Sequence, residues 1–465
     1  MQFLQKLSPK NLYRSFWPRD EETVEMRSEI HRMVWPCMVE LVLFSLFSMI
    51  DTVMVGWLNY NAINAVSICD NPIMISFVIF QAFNVGGTAL ASRFIGENDI
   101  LGARRTTVMV LWCNLIFGAL ISVLEYIYAR ELVAFMGASP AYIDMAETYM
   151  RYAAIGMLFS AIPSAITAQL RAVGNTRISL QYNIIANVVN TVLNSFLIFG
   201  LGPFPVMGVE GAAVATLASK VVACVISLVV IFTNVHMPVR VKPKDFLRPD
   251  FGIALRVARV GLPSAIEQIV MRIGLITFTR LVAGIGDVAY SAHNITMKLQ
   301  GLAFNVSQSF GIVASALTGR SLGEKKPDKA EKYIRLSRRS GLVASLSIGI
   351  IFAFFGKQLG YIFTNEAALL QWVGIIMIPL ALTMPAQTSN LVLGGALRGA
   401  GDTIWPLVGT ICGLFIMRSF MATIFIRVLD WGLIGAWIAF LLDQYSRATV
   451  TLLRFNSGKW KLKKV

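Results

Sequence analysis

The chain repeats itself at one fixed offset. Pro36 matches Pro263, and 263 − 36 = 227. The same offset carries Glu40 to Glu267, Gln81 to Gln308, Phe83 to Phe310 and Arg93 to Arg320. It also carries Gly96-Glu97 to Gly323-Glu324, Ala103 to Ala330, Leu170-Arg171 to Leu397-Arg398, Gly174 to Gly401 and Thr176 to Thr403. An offset kept from Pro36 to Thr176 without a gap is hard to obtain by chance. A period of about half the chain means a duplicated domain rather than a solenoid.

Composition says what kind of domain was duplicated. Of the residues, 56% are hydrophobic and 14% charged, far from a soluble average. Apolar runs of about 20 residues, enough to cross a hydrocarbon core of roughly 30 Å, recur near 33–57, 66–92, 107–128, 142–168, 179–200, 209–233, 258–282, 291–318, 340–356, 368–395, 405–427 and 433–453. This predicts an all-α integral membrane protein of about twelve transmembrane helices. Six spans per half return the chain to its starting side, so the halves are parallel repeats. The expected organisation is an N-terminal segment 1–32, an N-lobe 33–233, a basic Pro-containing linker 234–257, a C-lobe 258–453 and a basic tail 454–465.

Charge supplies an orientation. Lys and Arg gather before span 1, at 93–105, 234–259 and 319–339, and in the tail, while the opposite loops show only Arg130, Lys357 and Arg427. Positive loops stay in the cytoplasm. Both termini are therefore expected there, with the chain in the plasma (inner) membrane. The net charge of +15 is read as topology and contact with anionic lipid, not as nucleic-acid binding. The five cysteines are dispersed without metal or redox spacing and read as small apolar residues. The first 30 residues are polar and charged, so no cleavable leader is expected.

Ionisable groups at bilayer depth are expensive and point to function. Span 1 holds Glu40 and Asp51, three helical turns apart and so on one face. Span 5 carries Asn183, Asn187, Asn190 and Asn194 at i, i+4, i+7 and i+11, a stripe that must face protein or water rather than lipid. Two readings stand. The amides are glue between helices, or they are neutral ligands for a monovalent cation or proton beside Asp51, with Thr216 adding a hydroxyl. Span 7 repeats the first glutamate as Glu267, and span 8 holds His293. Arg272, Lys298, Arg418 and Asp443 make the second half richer in cations. With no P-loop, HExxH or Cys/His cluster, the chain is expected to be no enzyme, to hold no cofactor beyond a coupling ion, and to draw on an ion gradient.

Asp51-Thr52-Val53-Met54-Val55-Gly56, Leu170-Arg171-Ala172-Val173-Gly174-Asn175-Thr176 and its mate Leu397-Arg398-Gly399-Ala400-Gly401-Asp402-Thr403 resemble the multidrug and toxic compound extrusion (MATE) family. So do Ala292-His293-Asn294-Ile295 and Gly319-Arg320-Ser321-Leu322-Gly323, and the resemblance covers the chain after about residue 28. It implies two six-helix lobes around a V-shaped cavity, and antiport of small organic cations or drugs against Na⁺ or H⁺ by a monomer. It implies Asp51, Asn190, Asn194, Thr216 and Glu267 as ion-coupling residues, the first, second, third and fourth also as ligands for Na⁺. Glu40, Asn187, Glu267, Gln387 and His293 are the cavity candidates. Gln387 stands where Na⁺-type members are acidic, which moves weight to the N-lobe. The alternative is a lipid or lipid-linked saccharide flippase of the wider superfamily, with Arg272, Lys298 and Arg418 making a basic C-lobe cavity.

Overall fold

The computed structural model describes residues 20–202, 204–233, 240–247 and 249–463. The basic residues before Asp20, Arg248 and Lys464 lie outside them, as does most of the first part of the linker. Twelve long helices carry the fold among the described residues. They are α1 (Glu21–Gly56), α2 (Tyr60–Gly96), α3 (Ile100–Ile127), α4 (Ile143–Ala172), α5 (Thr176–Phe199), α6 (Gly208–Thr233), α7 (Phe251–Ala283), α8 (Asp287–Gly323), α9 (Pro327–Gly360), α10 (Ala367–Gly399), α11 (Ile404–Arg427) and α12 (Gly432–Asn456). A short helix, Ala129–Phe135, follows α3. Helix α11 is not uniform: its middle, Cys412–Phe420, is π-helical.

The duplication is visible in the backbone. Helices α2 and α8 begin and end 227 residues apart. The residue after each C-cap takes a left-handed conformation, Asn98 at φ 59° and Lys325 at φ 58°. Gly174 and Gly401 both stand at φ 82°, a conformation that glycine adopts without penalty. Neighbour relations repeat as well. In the N-lobe α1 packs on α5, α2 on α3 and α4, and α6 on α4 and α5; in the C-lobe α7, α8 and α12 pack on the equivalent partners.

Nine of the twelve helices are apolar and long enough to cross a membrane. The other three, α7, α8 and α12, carry Glu267, Gln268, Arg272, Gln300, Gln308, Gln444 and Arg447, which face a cavity between the lobes. Their lower hydropathy comes from polar groups turned to the protein interior, as burial in a membrane demands. Helix α1 starts at Glu21, twelve residues before the apolar run. This polar extension reaches the other lobe: Glu22 pairs with Lys332 at 2.6 Å, Glu29 pairs with Arg320 at 2.9 Å, and Tyr333 donates to Glu29.

The lobes meet through α2 on α7 and α8, and α1 on α8. The closest approaches are symmetric. A Cβ on Gly96 would stand 2.0 Å from the Arg320 carbonyl oxygen, and one on Gly323 would stand 2.0 Å from that of Arg93. Gly86 lies against the Val257 carbonyl and Gly261 against that of Ala82 in the same way. All of these lie in the half of the helices nearer the basic loops. Backbone contact this close admits no side chain. Gly323→Leu is expected to part the lobes at this end. Labelling of a Ser92→Cys probe, whose position is fully buried, by a permeant maleimide should then rise severalfold. Unchanged labelling would show that the crossing does not hold the lobes together.

Candidate functional site

Two buried ion pairs frame the site, one per lobe. In the N-lobe, Arg171 at the end of α4 donates to Glu40 of α1 at 3.0 Å. Ser179 and Asn183 of α5 complete that carboxylate at 2.9 and 2.8 Å. In the C-lobe, Arg398 donates to Glu267 at 3.0 and 3.3 Å, and Thr410 of α11 donates at 3.2 Å. Glu40, Arg171 and Asn183 fall on Glu267, Arg398 and Thr410 at the 227 offset. The pairs are alike in exposure, 17% and 9% for the N-lobe side chains against 15% and 8%. The glutamates are thus satisfied by guanidiniums that the sequence reading did not assign. The signal was present, since the Pro-x-x-x-Glu and Leu-Arg motifs duplicate together.

Beyond these pairs the lobes diverge. In the N-lobe, Asn194 donates to Asp51 at 2.8 Å and to the Asn190 oxygen at 3.2 Å, and Asn190 lies 3.3 Å from the Thr216 hydroxyl. The Asn190 amide sits 2.8 and 3.0 Å from the two Asp51 oxygens. With its nitrogen toward them it donates to the carboxylate. With its oxygen toward them, it joins Asp51 in a set of converging oxygens that a cation would hold together. Asn194 keeps a buried Oδ1 without a partner, and buried acceptors are rarely left so. Asp51, Asn190, Asn194 and Thr216 therefore come together as one oxygen-rich cluster. Asn183 belongs to Glu40, and Asn187 donates to the Asn183 carbonyl at 2.8 Å. The stripe splits between two tasks.

The C-lobe equivalent is built from other residues. Asp51 falls on Phe278 at the 227 offset. Helices α6 and α12 align through Gly208-x-x-Gly211 and Gly432-x-x-Gly435, which puts Phe440 in the place of Thr216. The π-helical turn of α11 adds one residue to the helix. Past it the offset becomes 228, as the ends Phe199 and Arg427 also require. Asn194 thus falls on Ala422, while Asn190 falls within the π-helical turn, at Met417 or Arg418, and the ring contacts assign it to Arg418. Arg418 stands 4.2 Å over the Phe440 ring and 5.5 Å from Phe278. Arg418 and Arg447 both clasp Asp443, at 2.5 and 2.8 Å and at 2.6 and 3.0 Å. Gly413 makes room, since a Cβ there would lie 2.2 Å from Asp443.

Between the lobes lies a cavity of about 650 Å³. Glu267, Gln268, Gln387 and Gln444 line it, with Arg171, Arg272, Arg398, Arg418 and Arg447. Glu40, Asn187 and His293 do not. Glu40 stands behind Arg171. His293 is buried against Phe278 and Trp437, with ring centroids 5.5 and 5.6 Å away. Lys298 lies over the Phe363 ring at 5.8 Å, outside the lining. Gln387 accepts from Gln300 at 2.9 Å and keeps an unpartnered buried Nε2.

A family model described as MatE matches residues 36–196 and 263–424. The chain belongs to the MatE family. The two matched segments begin 227 residues apart (263 − 36) and end 228 apart (424 − 196), as the extra residue in α11 requires. Relatives match along most of the chain. The Probable multidrug resistance protein NorM of Thermotoga maritima is 28% identical over 98% of this chain and 97% of its own length. A FAD transporter of Shewanella oneidensis is 24% identical over 84% of this chain and 86% of its own. A solved outward-facing multidrug resistance MATE family transporter of the MOP superfamily superposes with a TM-score of 0.88 at 23% identity, covering 95% of this chain and 97% of that one. The chain is a multi-pass membrane transporter of this family.

Removing one partner of a buried ion pair leaves an uncompensated charge and costs about 3–5 kcal/mol, whereas removing both can be nearly neutral. Glu267→Gln alone is expected to lower thermal stability in detergent, and Glu267→Gln with Arg398→Gln to recover most of it. Additive losses in that double variant would show that the pair is not coupled.

Proposed function

We propose that this MATE transporter is an ion-coupled antiporter that exports small organic molecules, drugs and organic cations among them, by alternating access of its two lobes. It acts as a monomer with no enzymatic step. Na⁺ or H⁺ is taken at Asp51, Asn190, Asn194 and Thr216. The observation that carries this reading is the convergence of one carboxylate, two amides and a hydroxyl in the N-lobe, with the Asn194 oxygen unpartnered. One carboxylate with neutral oxygens suits a hard monovalent cation or a proton. Glu267 serves differently: its oxygens already have Arg398 and Thr410, so it frames the C-lobe and is not the coupling acid.

Positive loops face the cytoplasm. The lobes touch in the half that carries those loops, so in this reading the state is closed inward and opens away from the cytoplasm, with the chain in the plasma (inner) membrane and both termini on the cytoplasmic side. Coupling requires that ion and cargo differ in affinity for the two states. Cation binding at Asp51 would draw α1 and α5 together, and α1 also contacts α8 of the other lobe through Asn305, which donates to Ser45 at 2.7 Å. This contact gives the ion site a mechanical route to the cavity.

A flippase is the second reading. The arginine surplus of the cavity favours it, and one relative's name, FAD transporter, points to a phosphate-bearing cargo in that protein. The decisive test is dye efflux from loaded proteoliposomes under an imposed Na⁺ or pH gradient. Ethidium and carboxyfluorescein would be compared in wild type and Asp51→Asn. Efflux of at least one dye should follow one gradient and fall by about 100-fold or more in the folded mutant. Efflux that ignores both gradients, or survives in Asp51→Asn, would sink the reading.

A further inference from the structure

The C-lobe copy of the ion site has the opposite polarity from the original. Where the N-lobe places Asp51, Asn190 and Thr216, the C-lobe places Phe278, Arg418 and Phe440. An exchangeable cation has no ligand there, and the position already holds a tethered guanidinium between two rings. Two guanidiniums share one carboxylate, Asp443, so the cluster keeps one positive charge. It does so while buried: Arg418 is 3% exposed, Arg447 4% and Asp443 0%. Bonds to Asp443 use two N–H groups of each guanidinium, of the five that arginine offers. Both arginines line the cavity.

The rest of the lining has the same sign. Five guanidiniums, those of Arg171, Arg272, Arg398, Arg418 and Arg447, meet one lining carboxylate, Glu267. Glu40 and Asp443 behind them, and Asp70 near Arg272, bring the acids to four, one fewer than the guanidiniums. Arg272 is exposed to the cavity and interacts electrostatically with Asp70 without forming an ion pair. Gln387 adds a buried N–H donor with no acceptor. A low-dielectric cavity with one surplus guanidinium and an unused donor favours a group rich in acceptor oxygens over a simple cation.

We propose that this converted site is a receptor for an anionic group, carboxylate or phosphate, on the exported molecule, with Arg418 and Arg447 as its principal donors and Arg272 at its mouth. The proposal rests on the antiporter reading only for the meaning of export; binding itself needs no gradient. Ion and cargo are then separated by charge. The N-lobe takes the cation and the C-lobe takes the anionic end of the cargo, so the two copies of one ancestral site no longer compete for the same ligand. Zwitterionic molecules fit when their cationic end lies away from the arginines.

The test is equilibrium binding to the purified full-length protein. Carboxyfluorescein stands for a soluble carboxylate, a short-chain fluorescent phosphatidate for a lipid phosphate, and ethidium for a cation. At least one anion should bind, and more tightly than ethidium. Its affinity should fall about tenfold or more in Arg418→Gln and Arg447→Gln, and severalfold in Arg272→Gln and Arg418→Lys, which keeps charge but loses the planar fork. Arg272→Gln changes an exposed side chain, so the test survives if the buried variants fail to fold. Carboxyfluorescein alone would assign a soluble cargo, and phosphatidate alone a lipid. Both outcomes support the receptor. Tighter binding of ethidium, or anion affinity unchanged in folded Arg272→Gln and Arg418→Lys, would overturn it. Anion binding without gradient-driven efflux would overturn the antiporter reading and leave the receptor standing. Coupled efflux of ethidium with no anion binding would do the reverse.

Discussion

The buried glutamate–arginine pair, made twice, is the interaction on which the rest of the structure depends. A membrane interior gives a charge little water to fall back on, and each of these two glutamates meets a base inside its own lobe. Glu40 meets Arg171, and Glu267 meets Arg398. Each pair ties the first helix of a lobe to the end of the fourth, and a donor from the fifth helix closes it. That triangle fixes where the fifth helix starts. It therefore fixes which side chains of α5 and α11 come to face their neighbours two turns further along. The ion site in one lobe and the arginine cluster in the other are both built on that register.

From the same frame the lobes take opposite directions. In α5 an unbroken α-helix sets Asn190 and Asn194 beside Asp51. In α11 the π-helical turn adds one residue, and the position of Asn190 is taken by Arg418. The change from Asp51 to Phe278 removes the acid that the C-lobe would need to hold a free cation. Asp443 and Arg447, one turn apart on α12, compensate Arg418 instead. A duplicated site can thus change sign with few substitutions, provided that every charge left behind finds a partner.

Much of this was legible in the sequence. The 227 offset and the apolar runs gave the two lobes and their twelve helices. The asparagine stripe and Asp51 pointed to residues that the fold does gather, because a period of 3.6 puts them on one face. Other parts were not legible for physical reasons. The pairing of Glu40 with Arg171 joins residues 131 apart, and no local period reports a contact of that length. The π-helical turn is invisible to an ungapped offset, whose matches end at Thr176 and Thr403. Arg447 stands at the spacing of a helical ion pair from Asp443, but that spacing alone does not report that both flank Arg418. His293 shares the helix face of Met297, Gln300 and Phe304, but it lies a turn beyond the cavity, where Phe278 and Trp437 cover it; Lys298 lies about 100° round the helix from that face. Gln387, in contrast, is a cavity candidate through the family resemblance, and it does line the cavity.

The central claim is that the duplication left one exchangeable cation site, in the N-lobe, and a fixed guanidinium in its C-lobe copy. The most direct measurement is the number of cations bound per chain at saturation, read as Na⁺ binding together with protons displaced or taken up. It would be made on purified wild type, Asp51→Asn and Glu267→Gln. The account predicts one cation per chain, lost in Asp51→Asn and kept in folded Glu267→Gln. Two cations per chain, or one that survives Asp51→Asn and disappears with Glu267→Gln, would contradict it.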